Sequence, residues 1–202
     1  MPTVPSTLRR TAVSQTWLRS LDTVRNTGPL REMVVVVPGE SDDIYLRHQQ
    51  VWAAMAPYAS NGQEFIFAQE DDPQVFRIRS STLPRWAKQT QLPRSGSFEI
   101  DMVCSTGEGY RDAVGKDELG PWAERKFARH GLVATSMVCL GTTQRRGTKR
   151  VHIIDRIENI AVPVARFTGK FTVENPLLAQ EAFRGGLGRG KRFGFGFLRV
   201  AA

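Results

Sequence analysis

The sequence predicts an α+β protein built from two tandem ferredoxin-like (RRM-like) βαββαβ domains. Two observations carry this. Short runs rich in Val, Ile and Phe, of strand length, alternate with helix-length stretches, and the same order recurs in the second half of the chain. At 202 residues the chain has room for two small domains. It divides into an N-terminal extension (residues 1–29), a first domain (30–115) and a second domain (116–202) that ends in a glycine-rich loop.

The extension is rich in Ser, Thr and Arg, with Asp22 its only carboxylate and Val13, Trp17, Leu21 and Val24 at helical spacing. Its composition is that of a transit peptide, although a short docking helix or an upstream start codon accounts for it more simply. After it, Leu30 to Val37 reads as a buried strand broken by Pro38 and Gly39, and Ser41 or Asp42 can cap a helix running to about Ala56. Gln63 to Gln69 and Gln74 to Ser80 form a predicted hairpin around Glu70, Asp71, Asp72 and Pro73. A short helix at Leu83 to Lys88 and a strand at Ser97 to Ser105 are expected to complete the first unit. The second unit is expected to comprise a helix over Gly120 to His130, strands near Thr135 to Thr143, Val151 to Ile154 and Val162 to Val173, a helix over Pro176 to Phe183, and a last strand at Phe193 to Val200.

Composition narrows the function. The longest apolar run, Met33 to Pro38, is far too short to cross a bilayer, so no membrane partner is expected. Cys104 and Cys139 form no C-x-x-C, which fits a reducing cytoplasm without staples. His130 and His152 lack a ligand set at zinc spacing, so neither a metal nor another cofactor is expected. Lys and Arg outnumber Asp and Glu by 28 to 20, a net charge of +8, which makes a polyanionic partner plausible. The excess is clustered. Arg184, Arg189, Lys191, Arg192 and Arg199 follow one another without an acid, and Arg145, Arg146, Lys149 and Arg150 surround Gly147. The second cluster, lying between two predicted strands, is expected to be a basic hairpin tip that meets phosphates; Arg166 and Lys170 are weaker candidates.

Residues 184–197 read RGGLGRGKRFGFGF. Glycine at this density marks backbone positions that need positive φ or close approach, and a ligand-free αβ turn is one reading. Backbone amides and cations meeting phosphate is the other, and it makes better use of Arg189, Lys191 and Arg192. A dinucleotide fingerprint fails because Lys191 stands where its third glycine belongs. The P-loop template fits at Gly185, Gly190 and Lys191, but Arg192 replaces the metal-binding hydroxyl and the helix precedes the loop instead of following it. On the helix running to about Ala56, Tyr45 and His48 stand three positions apart and face the same way; a half-buried packing histidine beside an edge aromatic is the plain structural reading.

A helix followed by GLGRGKRFGFGFL at the C-terminus resembles the glycine-rich loop of the CRISPR-associated RAMP endoribonucleases, most closely the CasE type that processes repeat RNA for type I-E Cascade. IYLRHQQVW at residues 44–52 resembles the first-helix motif of that family, in which a Tyr precedes the catalytic His by three positions, and the similarity runs through about residues 30–200. Only residues 1–29 depart from the pattern. The resemblance implies tandem ferredoxin-like domains and cleavage of a CRISPR repeat stem-loop to a 2′,3′-cyclic phosphate and a 5′-hydroxyl. It also implies continued residence in an effector complex beside other subunits. His48 would be the general base, Tyr45 would orient it or the ribose, and Lys191 would stabilise charge on the phosphorane. Arg145, Arg146, Lys149, Arg150 and Arg184, with Gly186, Gly188, Arg189, Gly190 and Arg192 of the loop, would bind the RNA. A non-catalytic RNA-binding subunit of the same fold is the alternative.

Overall fold

The structure, a computed structural model, describes residues 28–39, 41–58, 65–107, 110, 112–151 and 156–201. The extension, apart from Gly28 and Pro29, lies outside the described residues, as does His152. The first half contains β1 (Arg31–Val36), α1 (Ile44–Met55), β2 (Ile66–Gln69), β3 (Val75–Ser80) and β4 (Lys88–Gln89), with an antiparallel sheet ordered β2-β3-β1-β4. Met33 of β1, Phe67 of β2, and Phe76 and Ile78 of β3 point to one face of this sheet and enclose Val51 and Met55 of α1, as strand and helix periodicity require.

The expected helix at 83–88 does not form. Leu83 and Ala87 are both buried in this core, the Ala87 amide closes a single turn on the Pro84 carbonyl, and the chain then pairs with β1 as β4. Proline keeps the residue before it out of helical geometry, and four residues more give no length for a helix.

The second half contains β5 (Ser95–Val103), α2 (Leu119–Arg129), β6 (Leu132–Val151), β7 (Arg156–Val173), α3 (Pro176–Gly185) and β8 (Arg199–Ala201), with sheet order β6-β7-β5-β8. Counted within its own half, each sheet has the order 2-3-1-4, so the architecture is two ferredoxin-like units in tandem, the first without its second helix. Phe98, Ile100 and Met102 of β5, Phe167 and Phe171 of β7, Phe127 of α2 and Phe183 of α3 fill the larger core. Asn175 caps α3 by accepting from the amides of Leu177 and Leu178, with Pro176 in the first turn.

Two strand expectations change. The strand expected to complete the first unit instead opens the second sheet, pairing with β7 over its whole length. The strand expected at 135–143 runs on to Val151 as one strand of 20 residues, β6, residues 152–154 of the next expected strand lie outside the described residues, and the expected strand at 193–200 is reduced to β8. β6 and β7 run together from Leu132–Val173 to Val151–Arg156, so residues 144–150 lie within the sheet and not in a turn. Among the described residues no helix is long and apolar enough to cross a membrane.

Arg79 of β3 joins the halves. It is 1% exposed, its Nη1 and Nη2 donate to the carbonyls of Phe183 (2.7 Å) and Leu198 (2.9 Å), and its Nε donates to Glu32 of β1 (2.7 Å). Its guanidinium carbon lies 3.5 Å from the Phe183 ring centroid and 4.1 Å from that of Phe197. Burial pushes the group down to about 10, with Glu32 opposing, so it stays protonated at neutral pH. Around it Arg199 of β8 donates to the Gln69 carbonyl and sits within ion-pair distance of Glu70, Glu99 and Asp101, while Arg166 pairs with Asp101 through two nitrogens. Replacing Arg79 with Met leaves two carbonyls and Glu32 without their buried partner. The expected loss is about 3–5 kcal/mol, which for a chain of this size lowers the melting temperature by about 6–20 °C. Thermal denaturation followed by circular dichroism measures it, and a shift of a degree or two would contradict the assignment.

Candidate active site

Asp43 starts α1. Its Oδ1 accepts from the amides of Tyr45 (2.7 Å) and Leu46 (3.0 Å), which fixes the first turn of the helix and so the direction of Tyr45 and His48. Ile44, Val51 and Met55 are buried, while Tyr45 and His48 are half-buried beside that stripe. Both rings meet Phe193 of the glycine-rich loop, with centroids 5.0 Å away for Tyr45 and 6.1 Å for His48. The Arg192 guanidinium lies 4.7 Å from the Phe193 ring and 6.0 Å from that of Tyr45. The fold thus brings the first-helix pair to the loop, about 145 positions later in the chain.

Burial pushes the His48 imidazole below the usual histidine range; the Arg192 backbone opposes this and the Arg192 charge adds to it. Nδ1 is buried and has no hydrogen-bond partner among the described residues. The imidazole is therefore largely neutral at pH 7 and able to accept a proton.

The loop explains its glycines by packing. Gly186, Gly188, Gly190, Gly194 and Gly196 all have positive φ. At Gly196 a Cβ would lie 2.1 Å from the Leu187 carbonyl oxygen, and at Gly194 it would lie 2.8 Å from the Phe67 ring of the first half. The amides of Gly186, Leu187, Phe193, Gly194, Phe195 and Gly196 donate to carbonyls of the protein itself, Gly196 to Asp101 at 2.7 Å. These amides serve the fold, which narrows the expectation that the loop cradles phosphate with its backbone. Lys191 and Arg192, in the short turn Lys191–Phe193, are exposed. Arg189 instead turns inward, donating to Ser105 and the Gly107 carbonyl and lying 5.0 Å from the Tyr110 ring. Arg184 is half-buried in the last turn of α3.

The basic cluster around Gly147 is not a tip. It lies in β6 and rests on the start of α1, where a Cβ at Gly147 would approach Ile44 to 2.7 Å and Tyr45 to 3.2 Å. The second oxygen of Asp43 accepts from the Thr148 amide at 2.8 Å, so one carboxylate both caps the helix and holds the strand to it. Arg146 and Lys149 are exposed; Arg145 lines a cleft of about 600 Å³ between the halves together with Arg47, Asp101 and Arg166, while the Arg150 side chain lies outside the described residues. Neither Tyr45 nor His48 lines that cleft, and its mixture of acids and arginines is not the surface a polyanion selects.

Sequence spacing missed Asp43 and Phe193. Asp43 precedes the first periodic residue of α1, a signal that marks a helix cap, but its second contact is to strand β6. Phe193 reads as one more loop aromatic until the fold sets it against α1.

Residues 104–202 match the family model described as CRISPR associated protein. No curated protein sequence gives a significant match. Cse3 of Thermus thermophilus, bound to an RNA representing a pre-cleavage complex, has a similar fold, with a TM-score of 0.64 at 18% identity over 86% of this chain and 100% of that one. Cas6e of Escherichia coli K-12 gives 0.61 at 15% identity over 85% and 98%. A chain of a CRISPR RNA-guided surveillance complex gives 0.56 at 17% identity over 85% and 98%. The resemblance carried by the first helix and the glycine-rich loop thus extends to the whole fold.

The double role of Asp43 is open to measurement. Asp43→Ser keeps a capping oxygen but cannot reach both the helix and Thr148. Hydrogen exchange is expected to accelerate at the Thr148 amide by tenfold or more, with Tyr45 and Leu46 still protected. Equal acceleration at all three amides would reduce Asp43 to a cap.

Proposed function

We propose that this chain is an endoribonuclease that cuts CRISPR repeat RNA and remains on the product as a subunit of a surveillance complex in the cytoplasm. The observation that carries the proposal is the meeting of Tyr45 and His48 with Phe193 and Arg192 of the glycine-rich loop, in a fold shared with Cse3 and Cas6e. A neutral imidazole beside Arg192, in a turn that also carries Lys191, has the parts for 2′-OH chemistry. RNA supplies its own nucleophile, so the reaction needs in principle no metal or cofactor.

His48 takes the 2′-OH proton, the oxygen attacks the adjacent phosphorus in line as the bond from phosphorus to the 5′-oxygen breaks, and the leaving 5′-oxygen takes its proton from water. The products are a 2′,3′-cyclic phosphate and a 5′-hydroxyl. Proton transfer of this kind contributes roughly 10²–10⁴-fold. Tyr45 orients the ribose or the imidazole, and Lys191 and Arg192 stabilise the charge that develops on the phosphorane. Arg146 and Lys149, exposed on β6, grip the backbone of the repeat stem. Arg145, Arg150 and Arg184 are weaker parts of that surface; Gly186, Gly188 and Gly190 shape the loop, and Arg189 braces it.

His48→Ala is expected to slow single-turnover cleavage in EDTA by at least about 100-fold, with repeat affinity within a few-fold of normal. Near-normal cleavage by this variant would defeat the mechanism and favour a purely RNA-binding subunit. The cleavage rate should rise with pH through a value below the usual 6.5 of histidine and level off by neutrality, since the base works in its neutral form. The sign for stability is the same: the unfolded chain binds the His48 proton more readily, so stability falls as pH drops below about 6.5. A rate that falls across this window as pH rises would assign His48 the acid role. Arg146→Ala with Lys149→Ala should weaken binding and flatten the plot of log K against log salt by about two units. An unchanged slope would remove β6 from the RNA surface.

A further inference from the structure

Trp52 stands one helical turn beyond His48 on α1. It is 40% exposed, and its ring lies 5.8 Å from the imidazole edge-on and 4.7 Å from Phe65. Two of its neighbours on the same helix, Val51 and Met55, are fully buried, so the core of the first half is closed without it. The indole is held in place on one side and open on another. Tyr58 and Trp86, the other exposed large aromatics among the described residues, face each other at 6.1 Å.

The imidazole therefore has two different aromatic neighbours. One is Phe193, which carries the Arg192 guanidinium 4.7 Å from its ring, a cationic surface for phosphate. The other is the uncharged Trp52 indole. In-line attack needs the nucleotides on either side of the scissile phosphate to be splayed apart, so at least one base loses its stacking neighbour. Unpaired RNA bases replace that neighbour with aromatic side chains.

We infer that Trp52 is a stacking platform for one unpaired nucleobase adjoining the scissile phosphate, and that it positions the 2′-OH over His48. The inference rests on the endonuclease reading above. Stacking accepts any base face, so the site selects a splayed nucleotide and not a particular base. The platform would act beside the hold on the phosphates and make no phosphate contact of its own.

The test is single-turnover cleavage of repeat RNA carrying an abasic nucleotide in turn on each side of the scissile phosphate. Wild type, Trp52→Ala and Trp52→Phe are compared. Trp52→Ala should slow cleavage of intact RNA about tenfold, as loss of one stacked base does. At one of the two positions the abasic RNA should slow the wild type by a similar factor, yet be cut by Trp52→Ala no more slowly than intact RNA, because the two losses are the same loss. Trp52→Phe should restore most of the rate. The dependence of binding on salt should be the same for all three proteins, since no phosphate contact is removed.

Losses that multiply at both positions would overturn the inference and leave Trp52 as packing for His48. Should Trp52→Ala fail to fold, wild type that cuts both abasic RNAs at the normal rate would overturn it equally. Wild type unable to cut intact repeat RNA would defeat the endonuclease reading and this inference with it, an outcome distinct from normal cutting without coupling.

Discussion

Arg79 is a single guanidinium on which two cores depend. It leaves the face of the first sheet that does not contact α1, enters the second half, and ends between two phenylalanine rings with a carbonyl at each terminal nitrogen. A charge so buried holds only if every donor finds an acceptor, and Glu32, Phe183 and Leu198 provide them. The partners come from β1, from α3 and from the end of the glycine-rich loop. Any rotation of one sheet against the other would strand them, so the interaction fixes the relative placement of the halves as well as their contact.

That placement is what makes a site. α1 belongs to the first half, and the glycine-rich loop and β6 belong to the second. The loop passes over Phe67 at Gly194 and reaches α1 through Phe193, while β6 reaches the same helix through Gly147 and the Thr148 amide. His48 therefore takes its contact with Phe193 and its cationic neighbour Arg192 from a part of the chain it does not belong to. The glycines contribute by absence: where a side chain would strike Leu187 or Phe67, a bare Cα lets the loop turn back on itself and keep Arg192 close to Tyr45.

The ion pairs around Arg79 have a different weight. Arg77, Arg166 and Arg199 share Glu32, Glu70, Glu99 and Asp101, and most of these side chains are partly exposed. Such pairs add little individually in water. Their effect is to neutralise acids along the seam.

The sequence by itself determined most of the element types, the recurrence of their order and the Tyr45/His48 pair, because these depend on periodicity within a few residues: the 3.6-residue stripe of α1, the alternation in β1 and β3, and the Asn175-Pro176 start of α3. It misjudged 144–150, where arginines around a glycine have the local composition of a turn. There the strand persists because β7 pairs with it and Gly147 lets it lie against α1, both long-range facts. It could not assign Ser95–Val103 to the second sheet, since a strand carries no mark of its partner. Nor could it single out Arg79 from Arg77, two residues away on the same face. The tertiary structure decided that difference, as burial and hydrogen bonding are properties of what surrounds a side chain, and here the surroundings of Arg79 come from residues more than 100 positions later.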